Sequence, residues 1–108
     1  MARQTEDEGA EKARILRAFA FQVHRKQPLD AVVLEFIEQE LQRGRRKEFR
    51  PAAEAFNAEG VTAAMMALGL LGGEGAAMFR VLANDLRDHR LMSTVLEALA
   101  AHHEAGAA

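Results

Sequence analysis

The stretch GLLGGEG, residues 69–75, places four glycines in seven positions of a chain otherwise made of good helix formers. How it is read decides the fold. A glycine-rich loop that cradles a phosphate follows a strand and leads into a helix, because that geometry aims backbone N–H groups at the anion. Here the preceding residues, rich in alanine and methionine, read as a helix from about Ala63 to Leu71. The lysine and Ser/Thr of a P-loop are missing, and Glu74 stands where a bound anion would sit. The segment therefore reads as a corner between two helices, with Gly72 and Gly73 ending the first in the left-handed conformation. A ligand loop is the alternative reading.

Working outward from that corner, a fifth helix is expected over about Gly75 to His89, with Arg80, Asn84, Arg87 and Asp88 on one face and Phe79, Leu82 and Leu86 on another. A sixth follows over about Leu91 to Glu104, turning Met92, Val95, Leu96 and Leu99 inward; Thr94 and Glu97 have the spacing of a capping box. Toward the N-terminus, Thr62 is the expected cap of the fourth helix. Pro51 opens a short third helix that closes at Gly60, because proline suits a first turn. Gln27-Pro28 separates the first two helices. The first, about Glu8 to Arg25, carries Ile15, Leu16, Phe19, Ala20 and Val23 at helical spacing behind an acidic start. The second carries Leu29, Val32, Val33, Phe36, Ile37 and Leu41 on one face and ends near Gly44 or a turn later.

No segment alternates with the two-residue period of a half-buried strand. The expected fold class is all-α, a compact bundle of five to six short antiparallel helices in a single domain spanning residues 1–108, with residues 1–7 and 105–108 frayed. A chain of 108 residues with 49% hydrophobic and 28% charged residues has the composition of a globular domain. A formal net charge of -2 supplies no global field toward nucleic acid or an anionic membrane. Without cysteine there is neither a disulfide framework nor a thiolate metal site. No signal peptide or membrane span is read, so the expected location is the cytoplasm.

The residues that chemistry would need are sparse. His24, His89, His102 and His103 include no i, i+4 pair, so no metal or cofactor is assigned. Ser93 is the only serine, near a helix start where serine commonly caps. No catalytic residue is assigned. The run RGRRKEFR, residues 43–50, holds five cations. It reads either as a solvated helix terminus, where cations complement the dipole, or as a footprint for an acidic protein or for phosphates. Phe21 lies off the apolar stripe of the first helix, on the side of Arg14, Arg17 and His24. It marks either a protein contact or a helix buried on two sides.

Three segments, RKQPLDAVVLEFIEQE (25–40), AEGVTAAM (58–65) and GGEGAAMFRVLANDL (72–86), carry a resemblance to a known family. Together they resemble the helical cytoplasmic repeat of the type II secretion F family, the inner-membrane platform proteins of secretion and type IV pilus machines. The matching positions are Pro28-Leu29, Gly60 with Thr62, and Gly73-Glu74, within residues 12–104. The resemblance implies a freestanding relative without that family's membrane spans: about six helices that dock an assembly ATPase or another copy of the chain, without catalysis. The functional expectation is a cytoplasmic protein–protein interaction or adaptor domain, able to self-associate as a homodimer, with Phe21, Arg45, Arg46, Lys47 and Glu74 as contact residues. A helical nucleic-acid-binding module using Arg43, Arg45, Arg46, Lys47 and Arg50 is the alternative.

Overall fold

A computed structural model of the chain describes residues 2–85 and 88–105, with side chains from residue 8 and, in the fifth helix, as far as residue 83. Among the described residues it forms six α-helices and no strand: α1 (Ala2–His24), α2 (Leu29–Gln42), α3 (Arg46–Glu59), α4 (Val61–Ala67), α5 (Gly73–Asp85) and α6 (His89–Glu104). The fold class is all-α. The chain divides into two compact units, one made of Met1–Lys26 with Asp88–Ala108 and the other of Gln27–Arg87.

In the first unit α1 packs along α6. Gly9 meets the His103 carbonyl, and further along α1 Arg17 reaches Glu97, so the two helices run antiparallel. Ala13, Leu16, Ala20 and Val23 recur at three- and four-residue spacing on the buried side of α1, and Met92, Leu96 and Ala100 do the same on α6. Small residues at positions 9, 13 and 100 remove the bulk that would otherwise hold helices at the usual 8–10 Å spacing (roughly,). Arg17 fastens the exposed rim of this pair. Its Nη1 and Nη2 donate to the two Glu104 carboxylate oxygens at 2.5 and 2.7 Å, and its Nε lies 3.4 Å from Glu97. Those hydrogen bonds raise the Arg17 pKa and hold the Glu104 carboxyl below its ordinary value.

The second unit is a run of four helices in which α2 packs on α3 and α4, α3 on α4, and α4 on α5. Its core holds Val33, Ile37, Phe49, Ala52, Met65, Leu70, Leu71 and Phe79. A fully buried side chain such as Ile37 or Met65 contributes about 1.5–3 kcal/mol relative to exposure. Phe36 and Phe49 meet edge to face at 5.5 Å, locking α2 to α3.

The corner GLLGGEG is a helix–helix turn, as its composition predicts, but the glycine that ends α4 is a different one. Gly69, at φ 74, takes the left-handed conformation; its N–H donates to the Met66 carbonyl at 3.0 Å and the Leu70 N–H to the Met65 carbonyl at 2.9 Å. This is the Schellman pattern, completed by burial of Leu70. Helix α4 therefore stops at Ala67 rather than Leu71, and Gly72 and Gly73 lead into α5. The same device closes α2: Gly44 sits at φ 90, its N–H donates to the Leu41 carbonyl and that of Arg45 to the Glu40 carbonyl.

Other boundaries move for local reasons. Helix α1 begins at Ala2, six residues before the expected start. Helix α3 begins at Arg46, so Pro51 falls in its second turn instead of its first, where it lacks the N–H that a helix would pair with the Lys47 carbonyl. Gly60, at φ 98 and ψ -168, ends α3 and opens α4 in a conformation reserved for glycine. Thr62 is consequently inside α4 and buried, not a cap. Helix α6 starts at His89 because Asp88, expected on the polar face of the fifth helix, is its N-cap and accepts from the Arg90 and Leu91 N–H groups. Thr94 and Ser93 lie within α6, both donating to the Arg90 carbonyl, so neither caps it. Leu86 and Arg87 and residues 106–108 lie outside the described residues, as does the side chain of Asn84.

Candidate protein-contact surface

The basic run 43–50 folds into the corner between α2 and α3, and its cations meet different fates. Glu40 sits on the buried stripe with Val33 and Ile37, seven and three residues before it, and is itself buried. Its carboxylate accepts from Arg43 Nη1 at 3.2 Å and from Arg45 Nη1 at 3.0 Å. Arg45 also donates from Nε and Nη2 to Glu48, at 3.1 and 2.5 Å, and its guanidinium lies 5.1 Å over the Phe49 ring. The hydrogen bonds to Glu48 are the main cause of its raised pKa, with Glu40 adding to them. Arg50 pairs with Glu54 at 3.9 Å. Arg45 is thus a clamp of the α2–α3 corner: backbone N–H and side chain both hold Glu40.

Arg46 and Lys47, the neighbours of that clamp, are exposed and have no acidic partner among the described residues. They occupy the first turn of α3, where the helix dipole disfavours a positive charge. Of the cations expected to form one contact cluster, then, two are available and Arg45 is engaged.

Phe21 projects from α1 with 59% of its surface exposed, so in this structure the helix is not buried on that side. The Arg25 guanidinium lies 5.5 Å from its ring centroid, a cation over an aromatic face. Arg14 on the same side is paired with Glu11. Glu74 is in the first turn of α5, where a carboxylate is favoured by the dipole, and is exposed. Phe21 belongs to the first unit, and Arg46, Lys47 and Glu74 to the second.

Outside the expected set, four more large apolar residues are exposed among the described residues: Met66 and Leu91 by little more than a third, and two on α5 by more than half. Met78 and Val81 on α5 are 74% and 54% exposed. Ala76 and Phe79 take the buried side of this helix, and three-residue spacing puts Met78 and Val81 together on the opposite side with Glu74 and Ala77. The pattern was available in the wheel of α5 once Phe79 is taken as its inward anchor.

No family model, curated protein or solved structure matches the chain. No group of three or more His, Cys, Asp or Glu among the described residues converges to hold a metal ion. His102 and His103 stand edge to face at 6.0 Å near the end of α6. Ser93 is buried with its hydroxyl donated to its own helix. No helix among the described residues is long and apolar enough to cross a membrane.

Proposed function

We propose that this chain is a non-catalytic helical interaction domain that works by protein–protein contact and associates with a second copy of itself. The observation that carries the reading is the exposure of three large apolar side chains, Phe21, Met78 and Val81, each more than half open to solvent. Apolar area left open on a small domain gains about 25 cal/mol per Å² when a partner covers it; Met78 and Val81 adjoin on α5, Phe21 stands on α1 in the other unit, and adjoining apolar exposure marks contact sites more than single residues do. The resemblance to the type II secretion F repeat points the same way, toward a cytoplasmic docking module in an assembly of that kind. Its three matching steps, Pro28-Leu29, Gly60 with Thr62, and Gly73-Glu74, fall at or in the first turn of a helix, Thr62 as a buried residue of α4 and not its cap.

The nucleic-acid alternative is less well supported by the corner at residues 43–50. Three of its five cations, Arg43, Arg45 and Arg50, have carboxylate partners within the fold, which leaves Arg46 and Lys47 to neutralise phosphates. Two contacts supply little of the salt-dependent affinity that phosphate binding requires.

Light scattering across a concentration series tests the proposal. The unaltered chain should gain mass with concentration, and Phe21→Ser should shift that rise to higher concentration with helicity unchanged by circular dichroism. Equal masses for the two proteins throughout remove Phe21 from the contact.

A further inference from the structure

The exposed faces of α1 and α5 match each other in one register. Ala18 and Phe21 on α1, and Arg25 one residue past its end with its N–H still donated to the Phe21 carbonyl, are exposed and follow one another at helical spacing on one side. On α5, Glu74, Met78 and Val81 are exposed in the corresponding arrangement. Set antiparallel with Phe21 opposite Met78, the two helices bring Arg25 opposite Glu74 and Ala18 opposite Val81. The large side chain then faces a flexible thioether, the small one faces a β-branched one, and the cation faces the acid. Arg25 has no acidic partner and Glu74 no cationic one among the described residues. Sulfur–aromatic contact and knob-into-hole packing of Val81 over Ala18 both suit this alignment.

We propose that the α5 face of one copy docks antiparallel on the α1 face of a second copy, with Phe21–Met78, Arg25–Glu74 and Ala18–Val81 as facing pairs. This rests on the self-association proposed above and names its surface. The occupant is a second copy, because the complementary charge and shape both occur on the same chain. The overlap runs over residues 18–25 against 74–81, seven steps or about 10 Å at 1.5 Å per residue. A single helix pair of that length falls below a standard interface, so the association is weak and depends on concentration. The opposed charges set register and encounter rate, and the apolar pairs supply the affinity.

The absence of cysteine makes the register directly readable. Ala18→Cys and Val81→Cys are prepared separately, mixed in equal amounts under mild oxidation, and compared with Val81→Cys mixed with Thr94→Cys, an exposed position on α6. The Ala18→Cys and Val81→Cys mixture should form the mixed disulfide at least about five times faster than the control mixture. In parallel at low salt, Arg25→Glu and Glu74→Arg should each weaken association about three- to tenfold, and combining the two variants in one chain should recover most of the loss. Circular dichroism checks that each variant keeps its helices. An unaltered chain that stays monomeric at every concentration overturns this proposal and the self-association reading together. A chain that associates, but whose Ala18→Cys and Val81→Cys mixture cross-links no faster than the control, overturns the register alone. Faster cross-linking of Ala18→Cys with itself than with Val81→Cys also overturns it.

Discussion

Gly9→Ala should destabilise the pair α1 and α6, although alanine is the better helix former. In an open helix interior, replacing glycine by alanine stabilises by about 0.8–1.0 kcal/mol. At Gly9 a Cβ would fall inside 3.0 Å of the His103 carbonyl oxygen and 3.4 Å from its carbon, and that obstacle is backbone. Ordinary contact begins at 3.4 Å, so the helices must part by several tenths of an ångström or more. Overpacking of this kind costs about 1–3 kcal/mol, which leaves a net loss of about 0–2 kcal/mol after the propensity gain. Gly75→Ala is the control: its Cβ would meet only Leu71 Cδ1, at 3.9 Å, and should stabilise by about 0.4–1 kcal/mol. The two variants should therefore differ by about 0.4–3 kcal/mol, or roughly 2–12 °C in Tm for a chain of this size. Thermal unfolding by circular dichroism measures the gap, and amide hydrogen exchange should place the loosening from Gly9→Ala in α1 and α6. If Gly9→Ala raises Tm as much as Gly75→Ala does, the close approach of the two helices is wrong.

Acid should weaken the α1–α6 rim. Because Arg17 lowers the Glu104 pKa below its ordinary 4.5, the stabilisation is fully present above that value and is lost as pH falls through the depressed one. Arg17→Ala should thus lower Tm at neutral pH and make no difference once Glu104 is protonated; a deficit that persists in strong acid means that the arginine acts by packing instead. Glu40→Ala removes the carboxylate that Arg43 and Arg45 share and should cost about 1–2 kcal/mol, since both partners remain partly solvated. Denaturant unfolding measures it, and no change in midpoint would show that burial of Glu40 cancels its bonds. Asp88→Ala strips the side-chain cap from α6 and should cost about 1 kcal/mol in the same assay, with Asp88→Asn recovering most of it. An alanine variant as stable as the parent would reduce that cap to an incidental contact.

The existence of all six helices was legible because each one carries its own apolar period, and period is a property of neighbouring residues. What the residues could not rank was competition between several plausible terminators. Gly69, Gly72 and Gly73 all permit a left-handed step, but only Gly69 lets Leu70 turn back onto α4 and become buried, so the choice depends on what Leu70 can pack against. Pro51 is a good first-turn residue, yet α3 starts at Arg46, where Arg45 is already held by Glu40 and stacks on Phe49. The clamp joins residues of two helices and reads, along the chain, as a run of solvated charge. Glu40 illustrates the same limit from the other side. Its place on the Val33–Ile37 stripe was visible, but a carboxylate at a core position is tolerable only if cations reach it, and the two that do come from the turn that follows.

For contact residues the asymmetry is sharper. Phe21 could be singled out because it breaks the stripe of a long helix whose inward face is unambiguous. Met78 and Val81 were hidden by apolar neighbours on both sides of α5, where Phe79 and Leu82 are as hydrophobic as the residues that end up exposed. In a segment with apolar residues around most of its circumference, composition says that something will be buried and geometry says which part. A face left open in one chain therefore becomes visible only when the inward anchor, here Phe79, is known, and its charges then indicate what could cover it.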